Sequence, residues 1–289
     1  MKNRRGRLLN LCFLWLPLAY LAAQFAFPLA SGLVMSLNAG GPSFANYSFV
    51  LHDRLFWHAC SNNLIVAGLS LCLEFSLGLL FALLLHATRG RSLLVEISVL
   101  LPFLIPEIVF LSIARYILLP RGYLNGALLS VGLDGLGWLN PGSWLALLSV
   151  IVVDAWHVTP VVTLLLLGGL QTIPSELYEA AYLDGAGPVA RLRYVTVPLL
   201  RPALFAALLL RGVAALRIFS TVLVLTGAEG APVLSTYAYQ LWSDALEPQI
   251  AMAASVMLAL FIAALAAVVL GLRRRSGGRA ETSWEYLTA

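Results

Sequence analysis

The length of its apolar runs limits this chain more than any other feature. Runs with few charges recur at about 8–37, 62–86, 93–119, 144–170, 203–226 and 249–272. A hydrocarbon core about 30 Å thick is crossed by roughly 20 helical residues, and each run is long enough for that. With 60% hydrophobic and 11% charged residues, the composition lies outside the range of soluble domains. The expected fold class is an all-α membrane protein with six transmembrane helices in a single transmembrane domain over residues 1–289.

Basic residues set the expected orientation. Lys2, Arg4, Arg5, Arg7, Arg89, Arg91, Arg191, Arg193, Arg201, Arg273, Arg274, Arg275 and Arg279 fall on one side of an alternating six-span path, and only Arg54 and Arg121 fall on the other. Positive charge is retained on the cytosolic side, so both termini and the 171–202 loop are expected there. The first run is too long for a signal peptide and reads as an uncleaved span bent at Pro17 and Pro28. Residues 38–60 read as a short loop and interfacial helix, and 120–143 as a Gly- and Asn-rich outer loop anchored by Trp138 and Trp144. Cys12, Cys60 and Cys72 are odd in number and give no disulfide framework. The basic clusters flank apolar runs, so the net charge of +4 signals membrane orientation rather than a nucleic-acid partner.

One polar island interrupts the apolar pattern, from Pro174 to Pro198. Pro174 and Ser175 mark a helix start, Glu176 and Glu179 lie in its first turns, and Gly185 ends it. Gly187 and Pro188 mark a second start. The run Glu179-Ala180-Ala181, three residues, Gly185, nine residues, then Val195-Thr196-Val197-Pro198 resembles the "EAA" loop of permease subunits of bacterial ATP-binding-cassette importers. Val195 and Val197 stand for that motif's Ile and Leu. Ile173-Pro174, Asp184-Gly185-Ala186 and Leu199-Leu200-Arg201-Pro202 are similar to the family's carbohydrate branch, as are Arg211 to Phe219 and Val224 to Gly227. Gly187-Pro188 departs from its usual Ser cap, and Leu192 stands where it often has an aromatic.

Other chemistries fit poorly. A phosphate loop needs a lysine after its glycines, and the only lysine is Lys2. The four histidines are scattered, with neither a Gly-x-Ser-x-Gly nor a His-Glu-x-x-His run. No metal spacing joins His52, His58 and Cys60. No catalytic, metal or cofactor site is therefore expected on this chain.

Within the spans, polar groups are costly and tend to face a cavity or another helix. Trp156, His157 and Thr159 beside Pro160, and Phe219, Ser220 and Thr221 in the fifth run, suit either a sugar path or interhelical hydrogen bonding. Glu74, Glu107, Asp154, Arg211 and Arg217 are intramembrane ions that need partners. Helical rise places Arg217 and Glu107 at matching depths, each roughly 21 Å from the inner end of its span. Arg217 is thus expected to pair with Glu107, and Arg211 with Glu74 or Asp154.

The resemblance implies a multi-pass permease of the bacterial inner membrane that carries a di- or oligosaccharide such as trehalose or maltose. It implies four partners besides the bilayer: a second permease, two cytosolic ATPase subunits that hold ATP and Mg, and an extracytoplasmic solute-binding protein. Glu179, Ala180, Ala181, Asp184, Gly185, Leu192 and Pro198 would form the ATPase-coupling surface. The alternatives are an importer permease for glycerol phosphate, an amino acid or a polyamine, and a non-transport intramembrane protein.

Overall fold

The structure, a computed structural model, describes residues 2–38, 40–41, 43–88 and 93–285. Among them there are helices and no strands. Arg89 and Arg91 of the expected inner charge set lie outside the described residues.

The first helix, α1 (Lys2–Ser36), stays helical through Pro17 and Pro28. Its Phe25, Phe27 and Leu29 are exposed, as lipid-facing side chains are. The short α2 (Ala45–His52) follows, and Asp53 then breaks the chain. Asp53 Oδ1 accepts from Leu55 N at 2.9 Å, which starts α3 (Arg54–Thr88) well before the expected 62. Asp53 Oδ2 accepts from Tyr237 Oη at 2.7 Å, and burial together with this carboxylate pushes the Tyr237 phenol up.

The expected third span is not one helix. It divides into α4 (Leu93–Leu104) and α5 (Glu107–Leu118), and the chain turns by 97° between the Glu96–Leu104 and Glu107–Ser130 segments. Pro106 has no N–H to donate and pushes Ile105 out of helical geometry, so the ladder stops there. The 120–143 loop holds a further helix, α6 (Tyr123–Ser130). Buried Asn125 organises this loop: its Nδ2 donates to Leu136 O at 3.0 Å, and its Oδ1 accepts from Leu136 N and Trp138 Nε1, each at 2.9 Å.

The fourth span, α7 (Trp144–Gln171), starts at a Ser143 cap whose Oγ accepts from Ala146 N at 3.1 Å. It is the central helix. Gly78 of α3 lies against Val162, and a Cβ there would come within 2.8 Å of its methyl; at Gly169 a Cβ would meet Ala203 at 2.5 Å. Small residues let backbones approach in a solvent where apolar burial drives little. One end of the bundle packs Ala82, Val162, Leu166, Leu170, Leu200 and Ala207, and the other packs Val66, Val150, Ile151, Val222 and Leu225.

Then come α8 (Ser175–Leu183) and α9 (Pro188–Arg191), which continues through a π-helical turn (Leu192–Thr196) into α10 (Val197–Leu216). The expected separate second loop helix is therefore the start of the fifth span. Pro198 explains the π turn: its ring crowds the carbonyl four residues back, and Val197 N bonds Leu192 O five residues back instead.

The fifth span, expected to run unbroken to 226, stops at Arg217 and restarts as α11 (Ser220–Gly230), which kinks at Gly227 with φ 73°. Two further helices, α12 (Leu234–Ser243) and α13 (Pro248–Glu285), complete the described residues. Among the described residues, five helical segments are long and apolar enough to cross a membrane, and six are if the bent α4–α5 pair counts as one.

Candidate functional site

Both broken spans open onto one cavity of about 520 Å³ between α7 and α10. Its wall includes Phe103, Glu107, Asp154, His157, Arg211, Arg217, Phe219, Ser220 and Thr221. Breaking a helix in hydrocarbon frees backbone groups that no water can satisfy. Side chains of distant helices satisfy them here. Asn63 Nδ2 donates to Leu216 O at 3.2 Å, and Ser235 Oγ donates to Ile218 O. Arg115 Nη1 donates to Val224 O at 3.0 Å and Asn62 Nδ2 to Pro232 O at 3.0 Å.

The charges fall into two groups. Arg211 and Glu74 form a bidentate pair, with Nε on Oε2 and Nη2 on Oε1, both at 2.9 Å. Glu74 is fully buried and the Arg211 side chain is 11% exposed. Asp154 accepts from Thr221 Oγ1 at 3.1 Å. The expected Arg217–Glu107 pair is absent: among the described residues, Arg211–Glu74 is the one ion pair. The breaks supply the reason. Arg217 caps the C-terminus of α10, where the helix dipole favours a cation, and Glu107 opens α5, where it favours an anion. Both side chains are also exposed rather than desolvated.

The sequence-level candidates separate. His157, Phe219, Ser220 and Thr221 line the cavity. The His157 ring lies 4.8 Å from Phe110 and 6.5 Å from Phe103, and its Nε2 is buried without a partner. Trp156 is 46% exposed and is not part of the wall; Thr159 is buried with its hydroxyl on Ala155 O at 2.6 Å. Sequence reasoning missed Phe103, Phe110, Asn63, Ser235 and Arg115. The adjacent amides Asn62 and Asn63, early in an apolar run, were a signal that could have found the carbonyl donors.

The polar island forms a second site at one end of the bundle. Helix α8 buries none of its residues. It ends with Gly185 at φ +81°, where Gly185 N bonds Tyr182 O at 3.0 Å and Ala186 N bonds Ala181 O at 2.9 Å, a closure that needs a left-handed residue. Tyr178 Oη and Thr196 Oγ1 meet at 3.1 Å, tying α8 to the π turn. The Arg191 guanidinium lies 5.6 Å from the centre of the Tyr182 ring.

Around this frame Tyr182, Leu183, Val189 and Tyr194 project with 68–84% exposure, an apolar patch on an otherwise polar segment. Ala180, Asp184 and Gly185 are exposed beside them, while Ala181 and Pro198 are half-buried. Glu179 and Leu192 face a cleft of about 940 Å³ between α8 and the ends of α3 and α7. Leu192 thus turns inward, and Val189 holds the exposed position.

Comparison with known proteins points the same way. The family model described as "Binding-protein-dependent transport system inner membrane component" matches residues 75–279. The trehalose/maltose transport system permease protein of Thermococcus litoralis is 42% identical over 187 residues, which cover 63% of this chain and 62% of that protein. The trehalose transport system permease protein of Mycobacterium tuberculosis is 34% identical over 223 residues, covering 72% of this chain and 69% of that one. Among solved structures, a chain of a bacterial transporter importing the acidic polysaccharide alginate superimposes with a TM-score of 0.84 at 26% identity, over 93% of this chain and 96% of that one. A second structure of a bacterial alginate transporter holds an alginate pentasaccharide-bound periplasmic protein and matches with a TM-score of 0.83.

Proposed function

The chain belongs to the family of binding-protein-dependent transport system inner membrane components, and from that premise we propose that it is the permease subunit of an ATP-driven importer for a di- or oligosaccharide of the trehalose or maltose type. The observation that carries this reading is the pairing of two features on one continuous helix. Helices α9 and α10 begin at the exposed 174–198 segment and end in the wall of the intramembrane cavity. A displacement imposed on the apolar patch of α8 and α9 is therefore carried to Arg211 and Arg217 through one continuous helix.

The α8 end lies in the cytosol and docks an ATPase subunit that holds ATP and Mg. A second permease completes the path, and two ATPases and an extracytoplasmic solute-binding protein complete the importer. The trehalose/maltose names of the relatives and the periplasmic protein seated on an alginate transporter support this assembly. ATP closure would drive α8 and α10 together, and the cavity would open alternately to each side. In the cavity, the Ser220 hydroxyl offers hydrogen bonds to solute hydroxyls, and Phe219 offers an aromatic face, with the His157 ring and Thr221 beside them.

The test is reconstitution in proteoliposomes with the cognate ATPase, second permease and binding protein. Uptake of labelled trehalose or maltose should require ATP and should be lost when residues 175–183 are replaced by a Gly/Ser linker. Uptake that survives this replacement would refute the coupling role, and uptake of an amino acid or polyamine instead would refute the sugar.

A further inference from the structure

The charges of the cavity wall do not merely coexist; they sum to a sign. Six ionisable groups define the wall and its immediate backing: Glu107, Asp154, His157, Arg211 and Arg217 line it, and Glu74 stands behind Arg211. Arg211 is spent on Glu74, because both of its hydrogen bonds at 2.9 Å go to the two oxygens of that carboxylate. What faces the lumen is then Arg217 against Glu107 and Asp154, a formal excess of one negative charge. With the His157 imidazole neutral, positive charge is not in excess whether Asp154 is ionised or protonated. An anionic solute would meet one unpaired guanidinium, Arg217, against two carboxylates, whereas a neutral polyol incurs no charge penalty in a site of low dielectric.

Building on the sugar-path reading above, we propose that Glu74 is a charge-selectivity residue: by holding Arg211 it keeps the wall from becoming net positive, which disfavours anionic solutes relative to uncharged sugars. Glu74 touches no lumen itself, being fully buried. It acts on the solute through Arg211. A site built for a phosphate, sulfonate or uronate would free Arg211 to join Arg217, since guanidinium forks match such groups bidentately.

The potential of the cavity can be read with thiol probes that need no knowledge of the sugar. In the reconstituted complex, Cys12, Cys60 and Cys72 are replaced by Ala and Ser220→Cys places a thiol in the wall. Methanethiosulfonates bearing a sulfonate, a hydroxyl or a trimethylammonium are then compared, each relative to its rate with a free thiol. The sulfonate should react most slowly, and Glu74→Gln should speed it by roughly tenfold by freeing the charge of Arg211. The double variant Glu74→Gln, Arg211→Gln restores the original charge sum and should restore the original order, which separates charge from damage to the fold.

Uptake of an uncharged disaccharide and of its uronic-acid analogue is measured alongside. A sulfonate rate that is fastest in the native wall, or that Glu74→Gln leaves unchanged, overturns the proposal. So does equal uptake of the two sugars, an outcome that leaves the sugar-importer reading intact. If neither sugar is taken up, the sugar reading falls, and the reagent rates still decide the role of Glu74.

Discussion

Two helix ends in this molecule solve the same problem in opposite ways. Helix α8 ends at Asp184 in the open, and its last carbonyls are closed by the next two backbone N–H groups through the left-handed Gly185. Helix α10 ends at Leu216 inside the spans, where Asn63 from α3 closes Leu216 O and Ser235 from α12 closes Ile218 O in the break beyond it. At an exposed end water stands in for any missing partner, so a local closure is enough. In hydrocarbon it is not, and other helices must bring donors to the break. The exposed end is therefore closed by its own backbone, whereas the other is tied to neighbouring helices and holds charge at a defined place.

The sharpest way to break this comparison is at Arg211, one and a half turns before the buried end. Arg211→Ala leaves the fully buried Glu74 carboxylate without its partner. Orphaned buried charges of this kind cost about 3–5 kcal/mol, so the subunit should fail to assemble or melt well below the native complex. Thermal unfolding in detergent measures this, and a native-like midpoint would show that the pair contributes little to the bundle.

Gly185→Val addresses the exposed end. A β-branched residue in the left-handed region costs roughly 1–2 kcal/mol, but here that strain falls on α8, which buries nothing. Global unfolding should hardly change, while sugar uptake per ATP hydrolysed should fall severalfold. Assembly with normal uptake per ATP would mean that the bend at Gly185 plays no part in coupling.

This contrast also decides what could be read in the sequence. The closure at Gly185 is local, so the spacing from Glu179 to Pro198 carried it, and Pro174 and Pro188 marked the flanking starts where the structure has them. Span 4 was legible for the same reason, with Ser143 and Thr172 bounding an unbroken apolar run. The breaks at Pro106 and Arg217 were not, although Pro106 was a visible stop signal, because hydropathy continues across both and averages them away. Depth matching brought Arg217 and Glu107 to the same cavity but missed that each stands on a helix end. The inward turn of Leu192 depends on the π turn before Pro198, a register change that helical spacing does not foresee.

Asn63 tests the buried closure more gently. Asn63→Leu keeps the volume and removes the donor to Leu216 O, which would cost about 1–3 kcal/mol for a stranded carbonyl. The Asn63 Oδ1 atom is itself buried without a partner, so its removal offsets part of the loss. The net should be near the low end, about 1 kcal/mol, as a fall of a few degrees in the unfolding midpoint. A stabilised variant would show that the break draws its donors from elsewhere.

The smallest effect is expected next door to the cavity. Trp156 and His157 are neighbours in sequence, but successive residues on a helix point about 100° apart. His157 faces the cavity against Phe110, whereas Trp156 is 46% exposed on another side of α7. Trp156→Phe keeps a large apolar ring at a surface that does not line the path, so stability should change by less than about 0.5 kcal/mol and sugar uptake hardly at all. His157→Phe keeps an aromatic against Phe110 but removes the one unpartnered ring nitrogen from the wall, so it should raise the sugar concentration for half-maximal uptake at unchanged stability. Uptake curves for the two variants, measured side by side, set the cavity face of α7 against its outer face. If Trp156→Phe impairs uptake as much as His157→Phe does, the wall traced by Asp154, His157 and Thr221 is not the path that the solute takes.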